Sequence, residues 1–250
     1  MNTHLWIQYF RANQNRFVEP ALPPGGCALP ASVLEPLRES LAIFQLGESG
    51  GGTRLLKYVR HVVSANRLAG YEEAVGLFIA EEQYHARLLE KAVTYLGGVC
   101  LEKQWSNSIF RWLRNHFGVE FNIQILLIAE LIAEVYYGVM YRKCGDTALR
   151  GVCHKILSDE MRHIAFHTEF LRERLDAMPA WRRWLWRAQF RIFQRVTAVA
   201  VAWDHRDCFR ALGLSPWEAA AMTFKTGERF LRRLGGSQHL WGARPAALAT

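Results

Sequence analysis

The chain has 250 residues, half of them hydrophobic, with a formal net charge of +8 and an isoelectric point near 9.5. That length buries one sizeable core without help from disulfides, and eight prolines with 19 glycines exclude wholesale disorder. No recognisable nucleic-acid motif accompanies the charge, no uninterrupted apolar run reaches the roughly 18–20 residues of a membrane span, and the N-terminus lacks the basic-then-apolar order of a secretory signal.

Residues 1–31 carry aromatics and then a proline- and glycine-rich segment, which reads as an N-terminal arm with one short helix. Ser32, Glu35 and Pro36 mark a helix start. A helical apolar pattern runs from there to about Asn66, interrupted by Gly47 and by Gly50-Gly51-Gly52. Each glycine inside a helix costs roughly 1 kcal/mol relative to alanine. The segment is therefore either a break between two shorter helices or a local distortion that opens space beside Glu48. Tyr71–Tyr95 is the next helix, closed by Gly97-Gly98, and Trp105–Phe117 is a shorter one closed by Gly118. Glu120–Lys143 is apolar on most sides, as expected of a helix at the centre of a bundle. Thr147–Ala177, Trp181–Leu212 and Pro216–Leu234 follow, and 235–250 is a small-residue tail expected to be flexible. No stretch alternates with period two, so the expected fold is all-α, with residues 32–234 forming a single helical domain. Five scattered cysteines, without Cys-x-x-Cys spacing, suit reduced thiols and a cytoplasmic setting.

Glu82 with His85, and Glu160 with His163, are spaced i, i+3 and share a helix face one turn apart. Each pair is preceded, by 34 and 30 residues, by an acidic residue among apolar neighbours: Glu48 and Glu130. In a four-helix bundle this doubled pattern supplies the ligands of a carboxylate-bridged two-metal site. Glu82 and Glu160 would bridge, Glu48 and Glu130 would be terminal or semi-bridging, and His85 and His163 would supply the nitrogens. Each is expected near the middle of its helix, at one level of the bundle. Carboxylate oxygens with imidazole suit two iron ions, or a mixed manganese–iron pair. Four buried carboxylates without cations would be prohibitively costly.

Glu134 lies one turn beyond Glu130 and competes with it for the fourth-ligand role; Glu130 is favoured because it sits deeper in the apolar run. Glu81 reads as a solvated neighbour of Glu82. His167 continues the stripe of Glu160 and His163, either as a third imidazole, as a donor orienting a carboxylate, or as an ordinary interior histidine. Asp159 and Arg162 flank the pair and are candidates to orient its ligands. Tyr84 and Tyr137 are candidates to lie near the metals, although core packing is the commoner role.

At these residues the sequence resembles the ferritin-like di-iron carboxylate superfamily, over about residues 32–177. Leu46-Gly47-Glu48, Glu130 with Tyr137, and Glu160-x-x-His163 followed by Phe166 resemble the aldehyde-deformylating oxygenases. Asp159-Glu160-x-Arg162-His163-Ile164 is similar to the fourth-helix motif of the p-aminobenzoate N-oxygenases and of bacterial multicomponent monooxygenases. The N-oxygenases carry an additional histidine on that helix, whereas the extra histidine here follows the pair. The resemblance implies reductive activation of O2 at two irons and attack on a bound organic substrate, lipid-like or carrier-bound substrates included. It leaves open N-oxygenation, C–H oxidation and C–C cleavage. An iron-handling ferroxidase, or a bundle with a vestigial site, is the alternative.

Trp181–Arg195 places Arg183, Arg187 and Arg191 along one stripe, continued by Arg195, with Trp184, Leu185, Ala188 and Ile192 on an apolar side. The arginines are either solvated while the helix lies on the bundle, or a docking face for an external reductase such as a ferredoxin. An acidic carrier protein and a membrane surface are further readings of the same helix. Trp203-Asp204-His205-Arg206 is a polar cluster expected on that helix, as a substrate or interhelix contact. A monomer or dimer is expected.

Overall fold

The computed structural model describes residues 1–15, 18–50, 52, 55–60, 69–105 and 119–235. Among them the chain is all-α, without a strand. The helices are α1 (Thr3–Asn15), α2 (Ala31–Glu48), α3 (Tyr71–Tyr95), α4 (Val119–Lys143), α5 (Thr147–Asp176), α6 (Ala180–Asp204), α7 (Arg206–Ala211) and α8 (Pro216–Leu234). They sort into two compact units, Asn2–Ile123 with Asp146–Val152, and Gln124–Gly145 with Met1 and the chain from Cys153 onward. Residues 236–250 of the tail and all but the first residue of the expected Trp105–Phe117 helix lie outside the described residues.

In the first unit α1 and α2 both pack on α3. The arm is thus anchored by burial: Trp6 and Phe10 are fully inside, and Thr3 Oγ1 donates to the carbonyl of Ala69. The helix start at Ser32 is one residue late. α2 begins at Ala31 behind Pro30, and no side-chain cap bond forms there. At its other end α2 stops at Glu48, and Ser49 N–H closes the last turn on the carbonyl of Gln45. Helix resumes at residues 55–60, so the glycine segment is a break. Gly52 sits there at φ +62°, and a Cβ on it would lie 2.6 Å from Ile79 of α3, a close approach only glycine permits.

α3 starts behind Gly70 with Glu72 and Glu73 in its first turn, where carboxylates favour the helix dipole. It ends as expected at Gly97-Gly98: Gly97 N–H bonds the carbonyl of Thr94 and Gly98 N–H that of Val93, with Gly97 at φ +71°. Asp146 opens α5 by accepting from the backbone of Leu149 at 2.8 Å, and it also accepts from Tyr95 Oη at 2.9 Å.

In the second unit α6 and α8 pack along each other. α8 begins with a full capping box, Ser215 accepting from Glu218 N–H while the Glu218 carboxylate accepts from Ser215 N–H. The expected Trp181–Leu212 helix is two: it breaks at His205, which is buried against the ring of Tyr136 with centroids 5.7 Å apart. The central helix meets the length and mean hydropathy (1.7) of a membrane span over Phe121–Lys143, yet 83% of its apolar window is buried. That is the burial of an interior helix, and it explains why Ile125, Leu127, Ile128 and Leu131 are all inside.

Candidate metal centre

In the first unit Glu82 and His85 stand on consecutive turns of α3. His85 is fully buried, Glu82 is 13% exposed, and His85 Nδ1 lies 3.7 Å from Glu82 Oε1. The second unit repeats the arrangement on α5: His163 Nδ1 lies 3.7 Å from Glu160 Oε2, with both residues fully buried. It adds a third contact, since the same Nδ1 is 3.7 Å from Oε2 of Glu130 on α4, itself 3% exposed. A separation of 3.7 Å is too long for a hydrogen bond. Two donors sharing one divalent ion at bond lengths of about 2.0–2.2 Å stand roughly 3–4 Å apart, so the spacing fits ligands better than it fits a direct pair. Each unit thus presents one buried or nearly buried Glu-x-x-His pair, the donor types that a di-iron site takes.

Glu48 departs from its expected place. It is the last residue of α2, half-buried, rather than a mid-helix position, because the glycine segment stops the helix immediately after it. Glu134 turns elsewhere: its carboxylate accepts from Arg229 of α8 at 3.4 Å. Burial raises its pKa, opposed by Arg229, Arg233 and Arg142. Asp159 is buried and accepts from Lys155 at 2.5 and 2.7 Å, an i, i+4 pair on α5. Arg162 is half-buried on the same helix. Tyr137 is fully buried with its ring 5.3 Å from that of Tyr136, the packing role, while the ring of Tyr84 lies 6.5 Å from His85.

His167 is buried one turn beyond His163. Burial, and then the neighbouring His163, push its pKa down to about 3 against the pull of Glu160. It is a neutral imidazole at physiological pH, the form that binds metal.

Glu81 is not solvated. It is 4% exposed, and Asn13 Nδ2 of α1 donates to its Oε1 at 2.7 Å. The signal was present in the sequence, since Glu81 is i+3 from Phe78 and i−4 from His85 on one stripe of α3. What the spacing could not supply was the amide that α1 brings to it.

The arginine stripe is also placed. Arg191 makes a two-pronged contact with Glu228 of α8 (2.9 and 3.2 Å), Arg195 reaches the same carboxylate at 3.5 Å, and Arg187 Nη2 donates to the carbonyl of Leu231. The side of α6 expected to pack, with Trp184, Leu185 and Ile192, is exposed instead. Trp186, Phe190, Gln194, Ala198 and Ala202 are the buried positions.

A family model described as "P-aminobenzoate N-oxygenase AurF" matches residues 58–235. The match takes in α3 to α8, with both Glu-x-x-His pairs and Glu130, and begins after Glu48. No curated protein and no solved structure matches the chain.

Proposed function

This chain belongs to the AurF family of p-aminobenzoate N-oxygenases, di-iron oxygenases of the ferritin-like class, and from that membership we propose that it uses O2 and electrons from an external donor to oxidise a small organic substrate. The observation that carries the reading is the repeated Glu-x-x-His geometry, with the same 3.7 Å spacing in each unit. In this proposal Glu82 and Glu160 would be the carboxylates shared by two irons, Glu130 and Glu48 would complete the carboxylate set, and His85 and His163 would supply one nitrogen each. The irons, when bound, supply the oxygen activation that no side chain in the set can perform. The chain supplies the rest. Burial of His163, Glu160 and Glu130 excludes water, which strengthens their charge interactions with a bound cation. His167 presents a neutral ring on the same face, as a further nitrogen ligand or as a hydrogen-bonding group that orients a carboxylate. The family's name makes aromatic amines the first substrate class to screen.

The test is elemental analysis of protein grown with ample iron, followed by anaerobic ferrous loading and mixing with O2. Two irons per chain, a transient visible absorption band and amine-dependent O2 uptake support the reading. Failure to hold stoichiometric metal would sink it.

A further inference from the structure

A second surface of the second unit lies outside the metal chemistry. Along α6 the side chains of Trp181, Trp184, Leu185, Ile192, Val196 and Trp203 recur at the period of 3.6 and therefore share one face. All six are between 48% and 67% exposed. The stripe runs from residue 181 to 203, roughly 33 Å at the helical rise of 1.5 Å per residue. Trp217 of α8 extends it, exposed, with its ring 6.4 Å from that of Trp203. A soluble surface rarely leaves so continuous an apolar face without an occupant.

Charge selects the occupant. Residues 180–203 contain five arginines and no acidic residue. A second copy of the same helix laid on the stripe would bring two arginine-rich sets together, with Glu228 of each copy already shared by Arg191 and Arg195. An acidic protein partner would need a patch of several uncommitted arginines, but Arg191 and Arg195 already meet Glu228 and Arg187 caps the end of α8. A bilayer takes most of its binding from the apolar stripe and needs only a few cations beside it. Arg182, exposed at the start of the stripe, has no carboxylate partner among the described residues, and Arg195, 58% exposed, lies along its other edge. An apolar stripe with tryptophans at both ends and cationic flanks matches the acyl–headgroup boundary of an anionic bilayer. There indole rings sit at the interface and arginines reach lipid phosphate.

We propose that the outward stripe of α6, with Trp217, lies on anionic membrane surfaces, so that the protein is peripherally bound through its C-terminal helices.

The test uses the full-length protein with vesicles of phosphatidylcholine alone and of phosphatidylcholine with phosphatidylglycerol. The expected result is co-sedimentation with the anionic vesicles, weakened by added salt. Bromine on the lipid acyl chains should quench the wild-type tryptophan fluorescence, a readout that needs no variant. Trp184→Ser with Ile192→Ser should weaken binding by roughly tenfold or more. Because both side chains are exposed, its iron content and melting temperature should stay at wild-type values. Arg182→Gln with Arg195→Gln should reduce the preference for anionic over neutral vesicles. Absence of vesicle binding and of quenching by the wild-type chain overturns the proposal. So does a Trp184→Ser, Ile192→Ser protein that folds and binds vesicles undiminished. A wild-type dimer that ignores vesicles and becomes a monomer in that double variant would assign the stripe to a second copy instead.

Discussion

His163 Nδ1 stands as far from Glu130 Oε2, on a different helix, as from Glu160 Oε2 on its own: 3.7 Å in each case. Glu134, one turn along α4 from Glu130, is drawn to Arg229 of α8. Two glutamates that share a face in the sequence are thus separated by what packs on them. Glu130→Ala is expected to lower iron content by one ion or more per chain. Glu134→Gln should keep stoichiometric iron, with affinity within the roughly 10–100-fold loss typical of residues that do not touch the metal. Equal losses in the two variants, measured by elemental analysis, would remove the distinction.

Glu160 is expected to hold both ions, since a bridging carboxylate belongs to two coordination spheres. Glu160→Ala and Glu82→Ala should each lose both irons, and the transient absorption band with them, while far-ultraviolet circular dichroism stays helical. If either variant retained two irons per chain, the bridging assignment would be wrong. Removal of a like charge from a buried carboxylate set is stabilising when no cation is present. Metal-free Glu160→Gln should therefore melt at or above the temperature of metal-free wild type, and below iron-loaded wild type.

The all-α fold and both Glu-x-x-His pairs were legible because they depend on local period: i, i+3 spacing and apolar stripes state which side chains share a face. Features that depend on a partner helix were not. The direction of α6 is the clearest case. Its Trp184, Leu185 and Ile192 form as good an apolar stripe as Trp186 and Phe190, and only the presence of Phe230, whose ring is 5.0 Å from Phe190, and of Glu228 beside Arg191 decides which is inside. Glu48 was misplaced for a similar reason. The glycines announced an interruption, but whether it lay inside a helix or ended one was set by the approach of Gly52 to Ile79.

The α6–α8 contact depends on a missing side chain. Gln194 is buried and its Nε2 donates to the carbonyl of Thr223 at 2.6 Å, while a Cβ on Gly227 would sit 2.7 Å from Gln194 Cδ. Gly227→Ala forces the amide off its acceptor or the helices apart. The helix-propensity gain of up to about 1 kcal/mol is outweighed by overpacking of about 1–3 kcal/mol and by a buried unsatisfied amide. Net destabilisation is expected in a denaturant melt. Gln194→Ala with Gly227→Ala should recover part of it, because the added methyl then meets no amide. A Gly227→Ala chain as stable as wild type would show that the two helices adjust freely.

His205 gives the fold a pH dependence with a definite sign. It closes α6 and opens α7, buried against Tyr136, and burial pushes its pKa down from 6.5 to about 4, with Asp204 opposing. Near pH 5 the unfolded chain carries a charged imidazole and the folded chain a neutral one, so the unfolded state binds more protons and stability falls as pH falls. The contribution is fully present above about pH 6.5, is lost progressively as pH drops toward 4, and levels off below that. Its size is on the order of 3 kcal/mol if the whole shift is expressed. His167 contributes in the same direction in the metal-free protein, so the wild-type slope alone does not isolate His205. Subtraction does. Metal-free His205→Asn, compared with metal-free wild type in guanidinium melts at pH 7.5 and pH 5, should be less stable at the higher pH and should lose less on acidification. Parallel losses in the two proteins would show that His205 is protonated in the folded state, and that the turn between α6 and α7 admits water.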